Sequence, residues 1–205
     1  MERAKKMVES ITQIVQRERH EIGRSSRTSC LAISKSKEEV KELLEKFNPS
    51  LQYKCYSHPE RCVSGSAPTL AEVNIDYGEQ VAVDWLKIEL NDYQNFVGVK
   101  EDNKATFDVV CELSRMILGR YYYLKLSELM LFFQKLKYGD YGEMYGCVDA
   151  VRILRALRSF VFDRNIIIDK MEQAERERKQ EEDRKNAISY EEYIERMKQR
   201  KVSGL

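Results

Sequence analysis

Apolar positions recur at three- and four-residue steps through most of this chain, and that period belongs to the α-helix. Over residues 1–22 the stripe is Ala4, Met7, Val8, Ile11, Ile14 and Val15 on an otherwise charged segment, an amphipathic helix whose apolar side needs a partner. Gly23-Arg24-Ser25-Ser26-Arg27-Thr28-Ser29 then breaks the period with small polar residues and reads as a flexible basic linker. A second helix starts at Ser36, which makes a capping box with Glu39; it buries Val40, Leu43, Leu44 and Phe47 and stops at Asn48-Pro49. Residues 50–68 carry His58-Pro59, Ser64-Gly65-Ser66 and Ala67-Pro68 without helical spacing, and read as a long loop.

Thr69 and Glu72 form a second capping box, opening a short helix into Tyr77-Gly78. From Glu79, the positions of Val81, Ala82, Trp85, Ile88 and Leu90 predict a strong helix with Trp85 in the core. Past a loop over 98–103, Phe107, Val110, Cys111, Ser114, Ile117 and Leu118 repeat the pattern as far as Gly119. Tyr121 to Leu124 lean towards extended structure, but one short run without a matching strand builds no sheet, so they read as a connector or a small edge element. Ser127 is the expected N-cap of a helix through Leu136, with Leu129, Met130, Phe132, Phe133 and Leu136 on a wide apolar arc. A tyrosine-glycine hairpin from Tyr138 to Gly146 leads into a helix carrying Val151, Leu154, Leu157, Phe160 and Val161.

Between Asp169 and Lys185 seven acidic and six basic residues leave little to bury. Glu172 with Arg176, Glu175 with Lys179, and Glu181 with Lys185 are spaced to pair on a solvated helix. Ser189 and Glu192 restart the helix, and Tyr190, Tyr193, Ile194 and Met197 form a short apolar stripe. With only three prolines and nine glycines as punctuation, the pattern predicts an all-α protein. Residues 1–35 are a helical arm and linker, 36–165 a central helical domain, and 166–205 a charged helical tail.

Composition narrows the function classes. A formal net charge of +1 excludes a global basic footprint for nucleic acid or anionic membrane, so any basic patch is local. The charged start Met1-Glu2-Arg3-Ala4-Lys5-Lys6 lacks the apolar run of a secretory signal, and no segment has the length of a membrane span. Five cysteines, an odd number, point to reduced thiols, and the expected compartment is the cytoplasm.

Residues 67–164 resemble a family of small uncharacterised proteins associated with Bacteroidetes genomes, their prophages and other mobile elements. Pro68-Thr69-Leu70-Ala71-Glu72-Val73 with Tyr77-Gly78, and Ala82-Val83-Asp84-Trp85-Leu86-Lys87-Ile88 with Asn91-Asp92, carry part of the likeness. Tyr121 to Phe133, then Gly139, Tyr141-Gly142, Tyr145-Gly146 and Val148-Asp149, carry the rest. This chain departs at Asp140 and Glu143, where basic residues are common in that family, and at Ala150, where proline is common. The acidic departures weigh against phosphate binding by this loop. The resemblance implies a mobile-element setting and brings no activity with it.

Three chemistries were weighed. Cys55, His58 and Cys62 have zinc-ligand types but lack a fourth ligand and the paired short spacings of zinc fingers, so no metal or cofactor is expected. No nucleophile and base come together, and enzymatic activity is not expected. The hairpin and its flanks offer stackable rings with cationic side chains, the means by which single strands are held. The candidate nucleic-acid contacts are Lys135, Lys137, Tyr138, Tyr141, Tyr145, Arg152, Arg155 and Arg158. The same residues also suit a plain helical hairpin, with tyrosines plugging its end and arginines on a wet face. Tyr190, Tyr193, Ile194 and Met197 are candidate partner-binding residues, since such a stripe docks into a groove, either on another protein or on the Met7, Ile11, Ile14 and Val15 face. Two functions therefore stand as expectations: a non-enzymatic adaptor or accessory protein acting through its terminal helices, and a nucleic-acid-binding accessory factor, for example in replication.

Overall fold

The computed structural model describes residues 36–142, 148–187 and 190–202, and among them every regular element is helical. The arm expected over 1–35, Glu143 to Cys147 and Ser189 lie outside the described residues.

Helix α1 (Lys37–Lys46) begins at the expected capping box: the Ser36 hydroxyl accepts from the Glu39 amide, and the Glu39 carboxylate accepts from the Ser36 amide at 2.7 Å. Leu43, Leu44 and Phe47 are buried. The loop expected over 50–68 is instead largely helical. Asn48 accepts from the Ser50 amide to start a 3-10 turn at Pro49–Leu51, followed by α2 (Gln52–Tyr56) and α3 (Pro59–Ser64). Helices this short complete too few turns to show a period, and Pro59 suits the first helical position, whose N–H has no intrahelical partner. Both pack on α7, described below.

The Thr69 box opens α4 (Leu70–Tyr77) as the sequence predicts. Gly78, at φ 95°, swings the chain straight into α5 (Glu79–Phe96), a conformation that costs a side-chain-bearing residue dearly. Helix α5 is buried along most of its length, with Trp85 1% exposed. A 3-10 turn at Glu101–Asn103 precedes α6 (Phe107–Arg120), which buries Val110, Leu113, Ser114, Ile117 and Leu118. Phe107 departs from its expected place in that face: it is 60% exposed, with the Lys87 ammonium 4.7 Å from its ring centre.

Residues 121–125 are the connector the sequence implies, and they are stitched to the segment before α4. Leu70 and Ala71 amides donate to the Leu124 and Tyr122 carbonyls at 2.9 and 2.8 Å, and the Leu126 amide donates to Pro68 at 2.9 Å. The Lys125 ammonium donates to the carbonyls of Val63 and Gly65 at 2.7 Å each.

Helix α7 (Leu126–Tyr138) starts two residues earlier than expected. Ser127 is not the cap, because its hydroxyl donates to the Cys62 carbonyl at 2.7 Å. Lys125 holds the cap position without an acceptor of its own, and Glu128 supplies the oxygen by accepting from the Lys125 amide at 2.8 Å. The other Glu128 oxygen accepts from Arg164 Nε at 2.6 Å, and the carboxylate is wholly buried. Helix α8 (Ala150–Asn186) packs Ile153, Ala156, Leu157 and Phe160 into the core, with Phe160 and Phe132 ring centres 5.6 Å apart.

The chain divides into a unit ending at Arg164 and a second one from Asn165. The second comprises the rest of α8 and α9 (Tyr190–Val202). From Glu172 to Ala187 its residues are exposed, and the three anticipated pairs form at 3.2, 2.9 and 3.1 Å. Exposed pairs of this kind add only a few tenths of a kcal/mol each.

Candidate functional site

The end of α7 brings Tyr141 together with Arg152 and Arg155 among the candidate nucleic-acid residues. Gly139 ends the helix at φ 81°, a left-handed turn open to glycine. The turn closes with Gly142 donating to the Gly139 carbonyl at 2.9 Å. Tyr141 folds back so that its ring centre lies 6.1 Å from that of Phe132, and its hydroxyl donates to Asp163 at 2.9 Å. Burial and the Asp163 carboxylate both push the Tyr141 phenol far above its usual range, so it stays protonated and donates to Asp163. Helix α8 begins nearby, where the Asp149 carboxylate accepts from the Val151 amide at 2.7 Å. Between the turn and α8 lies a cleft of about 540 Å³, lined by Asp140, Tyr141, Gly142, Arg152, Arg155, Ala156, Ser159 and Asp163.

The structure sorts the candidate cations into two groups. Lys135 pairs with Asp140 at 3.9 Å, and Lys137 is held by Asp92 and by Gln52 at 2.7 Å. Arg152, Arg155 and Arg158 are exposed, and among the described residues their side chains hold no ion pair. Arg152 and Arg155 line the cleft while Arg158 lies outside its lining. Tyr145 is outside the described residues.

Tyr138 is 62% exposed and lies on the α2 side of the turn, its ring centre 4.5 Å from that of Tyr56. Tyr53, three residues before Tyr56, is 59% exposed, with Lys54 5.9 Å from its ring centre. Phe96 at the end of α5 is 60% exposed and has the Lys137 ammonium 5.5 Å from its ring centre. Sequence reasoning misses Tyr53 and Tyr56 because both sit in the stretch read as loop, and the contact of Tyr56 with Tyr138 has no local signal. In the second unit, Tyr193 and Met197 are exposed and Ile194 is half-buried; Tyr190 begins α9.

Beneath the aromatic side chains runs a buried polar chain. Glu89 is fully buried and accepts from Gln52, while its second oxygen has no hydrogen-bond partner. Burial pushes the Glu89 carboxyl up to about 8, against the opposing pull of Gln52 and Lys137. The folded chain then keeps a proton that the unfolded chain releases. The contribution to stability is full below the ordinary carboxyl value of 4.5 and is lost as pH rises through about 8, with a slope of up to about 1.4 kcal/mol per pH unit. Glu89→Gln is expected to flatten this decline. Urea titrations of both proteins at several pH values between 5 and 9 check it, and an equally steep decline in the variant would assign the slope to other groups.

The cysteine-histidine segment is placed differently from a metal site. The Cys62 thiol lies 3.6 Å from the Cys55 carbonyl. A hydrogen bond between the two thiols lowers the Cys55 value and, reinforced by burial, raises that of Cys62. His58 is exposed, with Nδ1 3.6 Å from Glu60. Among the described residues no three His, Cys, Asp or Glu side chains are grouped to hold a metal ion, and no helix is long and apolar enough to cross a membrane.

Comparison with known proteins adds one finding. No curated protein and no solved structure matches the chain. A protein-family profile described as a "Family of unknown function (DUF6633)" is similar to this chain over residues 107–202.

Proposed function

We propose that this protein is a non-enzymatic accessory protein in which a helical base carries an arm that docks on a protein partner or on a second copy of the chain. The observation that supports it most is the stripe on α9: Tyr193 is 48% and Met197 41% exposed on a helix rich in charged residues. Apolar side chains at three- and four-residue steps on a charged helix are how a helix-in-groove ligand is built. A mobile element or prophage is the setting that the resemblance of residues 67–164 supports. Truncation after Asn165 tests the proposal, since it spares Arg164 and removes the stripe. The thermal midpoint is expected to stay within about 2 °C of the full chain, while association measured by light scattering or partner capture is lost. A large fall in midpoint would make the tail part of the core, and unchanged association would remove the arm's role.

A second reading, a nucleic-acid-binding accessory factor, is favoured by a separate observation. Three arginines, Arg152, Arg155 and Arg158, stand exposed and unpaired among the described residues on one stretch of α8, free to neutralise phosphates.

A further inference from the structure

We propose that Tyr138 and Tyr56 form a base-stacking platform for single-stranded nucleic acid, with the strand's phosphates carried onto Arg152, Arg155 and Arg158. This rests on the nucleic-acid reading above and adds to it a second contact surface, made by a helix outside the hairpin.

The two rings, from α2 and α7, lean together with centres 4.5 Å apart and planes at 43°, yet Tyr138 remains 62% and Tyr56 41% exposed. A pair that packs only for stability would be covered; these two side chains keep much of their surface open. Tyr53, one helical turn before Tyr56, and Phe96, whose ring centre lies 5.5 Å from the Lys137 ammonium, are exposed as well. The pair is held from below, because Gln52, one turn before Tyr56, and Lys137, next to Tyr138, are joined by a hydrogen bond of 2.7 Å in the buried polar chain. The rings therefore sit on fixed backbone, and base stacking on fixed aromatics is tolerant of sequence.

Charge complements this surface. Two acidic side chains of this region are answered locally, Asp92 by Lys137 and Asp140 by Lys135. Lys54, exposed beside Tyr53, and the three arginines are left to face phosphate. Tyr138 and Gly142, which lines the arginine cleft, are four residues apart, so their Cα atoms lie within about 15 Å by chain length alone. A short run of nucleotides spans that distance.

The test uses the full-length chain with a fluorescein-labelled oligothymidylate and its oligouridylate counterpart, and a second pair carrying one 2-aminopurine. The native protein is expected to bind at low salt and to quench 2-aminopurine on stacking. Tyr138→Ala, alone and with Tyr56→Ala, is expected to lower affinity about 5- to 100-fold and abolish quenching while leaving the salt dependence intact. Tyr138→Phe should retain both, which separates loss of the ring from loss of fold. Changing Arg152, Arg155 and Arg158 together to glutamine should lower affinity and flatten the salt dependence. Arginine-dependent binding that is indifferent to the tyrosines would overturn the platform and leave the nucleic-acid reading standing. Absence of binding at low salt would overturn both. Loss of self-association in Tyr138→Ala, with strand affinity unchanged, would also overturn the platform and make it a protein contact.

Discussion

Replacing Trp85 by alanine is expected to cost roughly 3 to 5 kcal/mol of stability, a large share of what a domain of this size possesses. Trp85 is 1% exposed in the middle of α5, the helix with the longest buried stretch. Its indole N–H donates to the Phe47 carbonyl at 2.6 Å, tying the end of α1 to the core. Alanine would therefore open a cavity and also leave a carbonyl without its donor, so the cost belongs at the upper end of the range. Trp85→Phe refills most of the volume and keeps the orphaned carbonyl, so the difference between the two variants measures the cavity. Urea denaturation followed by circular dichroism gives both values. A loss under about 0.5 kcal/mol for alanine is the size of a surface substitution and would contradict the burial of this side chain.

A comparable loss, about 3 to 5 kcal/mol, is expected for Arg164→Ala. The Glu128 carboxylate is wholly buried, and Arg164 is the cation that answers it, at 2.6 Å. Removing the guanidinium strands a charge whose desolvation was already costly, and that penalty exceeds whatever the pair contributes net. Arg164 also lies over the Tyr123 ring, 5.8 Å from its centre, so lysine, which lacks the planar group, is expected to rescue only in part. Combining Arg164→Met with Glu128→Gln removes both charges and should recover most of the loss. If the double variant is as unstable as Arg164→Ala, the stranded charge is not the cause.

What could be read directly from the sequence was local. The boxes at Ser36 and Thr69 each involve two residues three apart, and the pairs on α8 two residues four apart, so both partners were in view together. The burial of Trp85 followed from the period of its own helix. Failures came where a distant group decided the outcome. Ser127 looked like a cap, but its hydroxyl belongs to the Cys62 carbonyl, sixty-five residues away. Lys137 reads as a candidate strand contact, but its ammonium donates to Gln52, eighty-five residues upstream. Tyr138 was recognisable as a candidate ring, whereas Tyr56 was not, because α2 is too short to declare itself as a helix and joins Tyr138 only through tertiary packing. Exposure of Arg152, Arg155 and Arg158 was anticipated from their three-residue steps on an amphipathic helix; the cleft beside two of them depends on how Tyr141 folds back onto Asp163.

The stitching of the chain before α4 to the connector before α7 has a topological consequence. Lys125 reaches back sixty-two residues to Val63, and the amides of Leu70, Ala71 and Leu126 close the same gap. Everything between, α4 through α6, hangs as a loop whose two ends are fastened at one place. Its exposed turn at Glu101–Asn103 is therefore the far side of a ring, and a single cut there opens the ring while both strands of the cut stay moored by the same clasp.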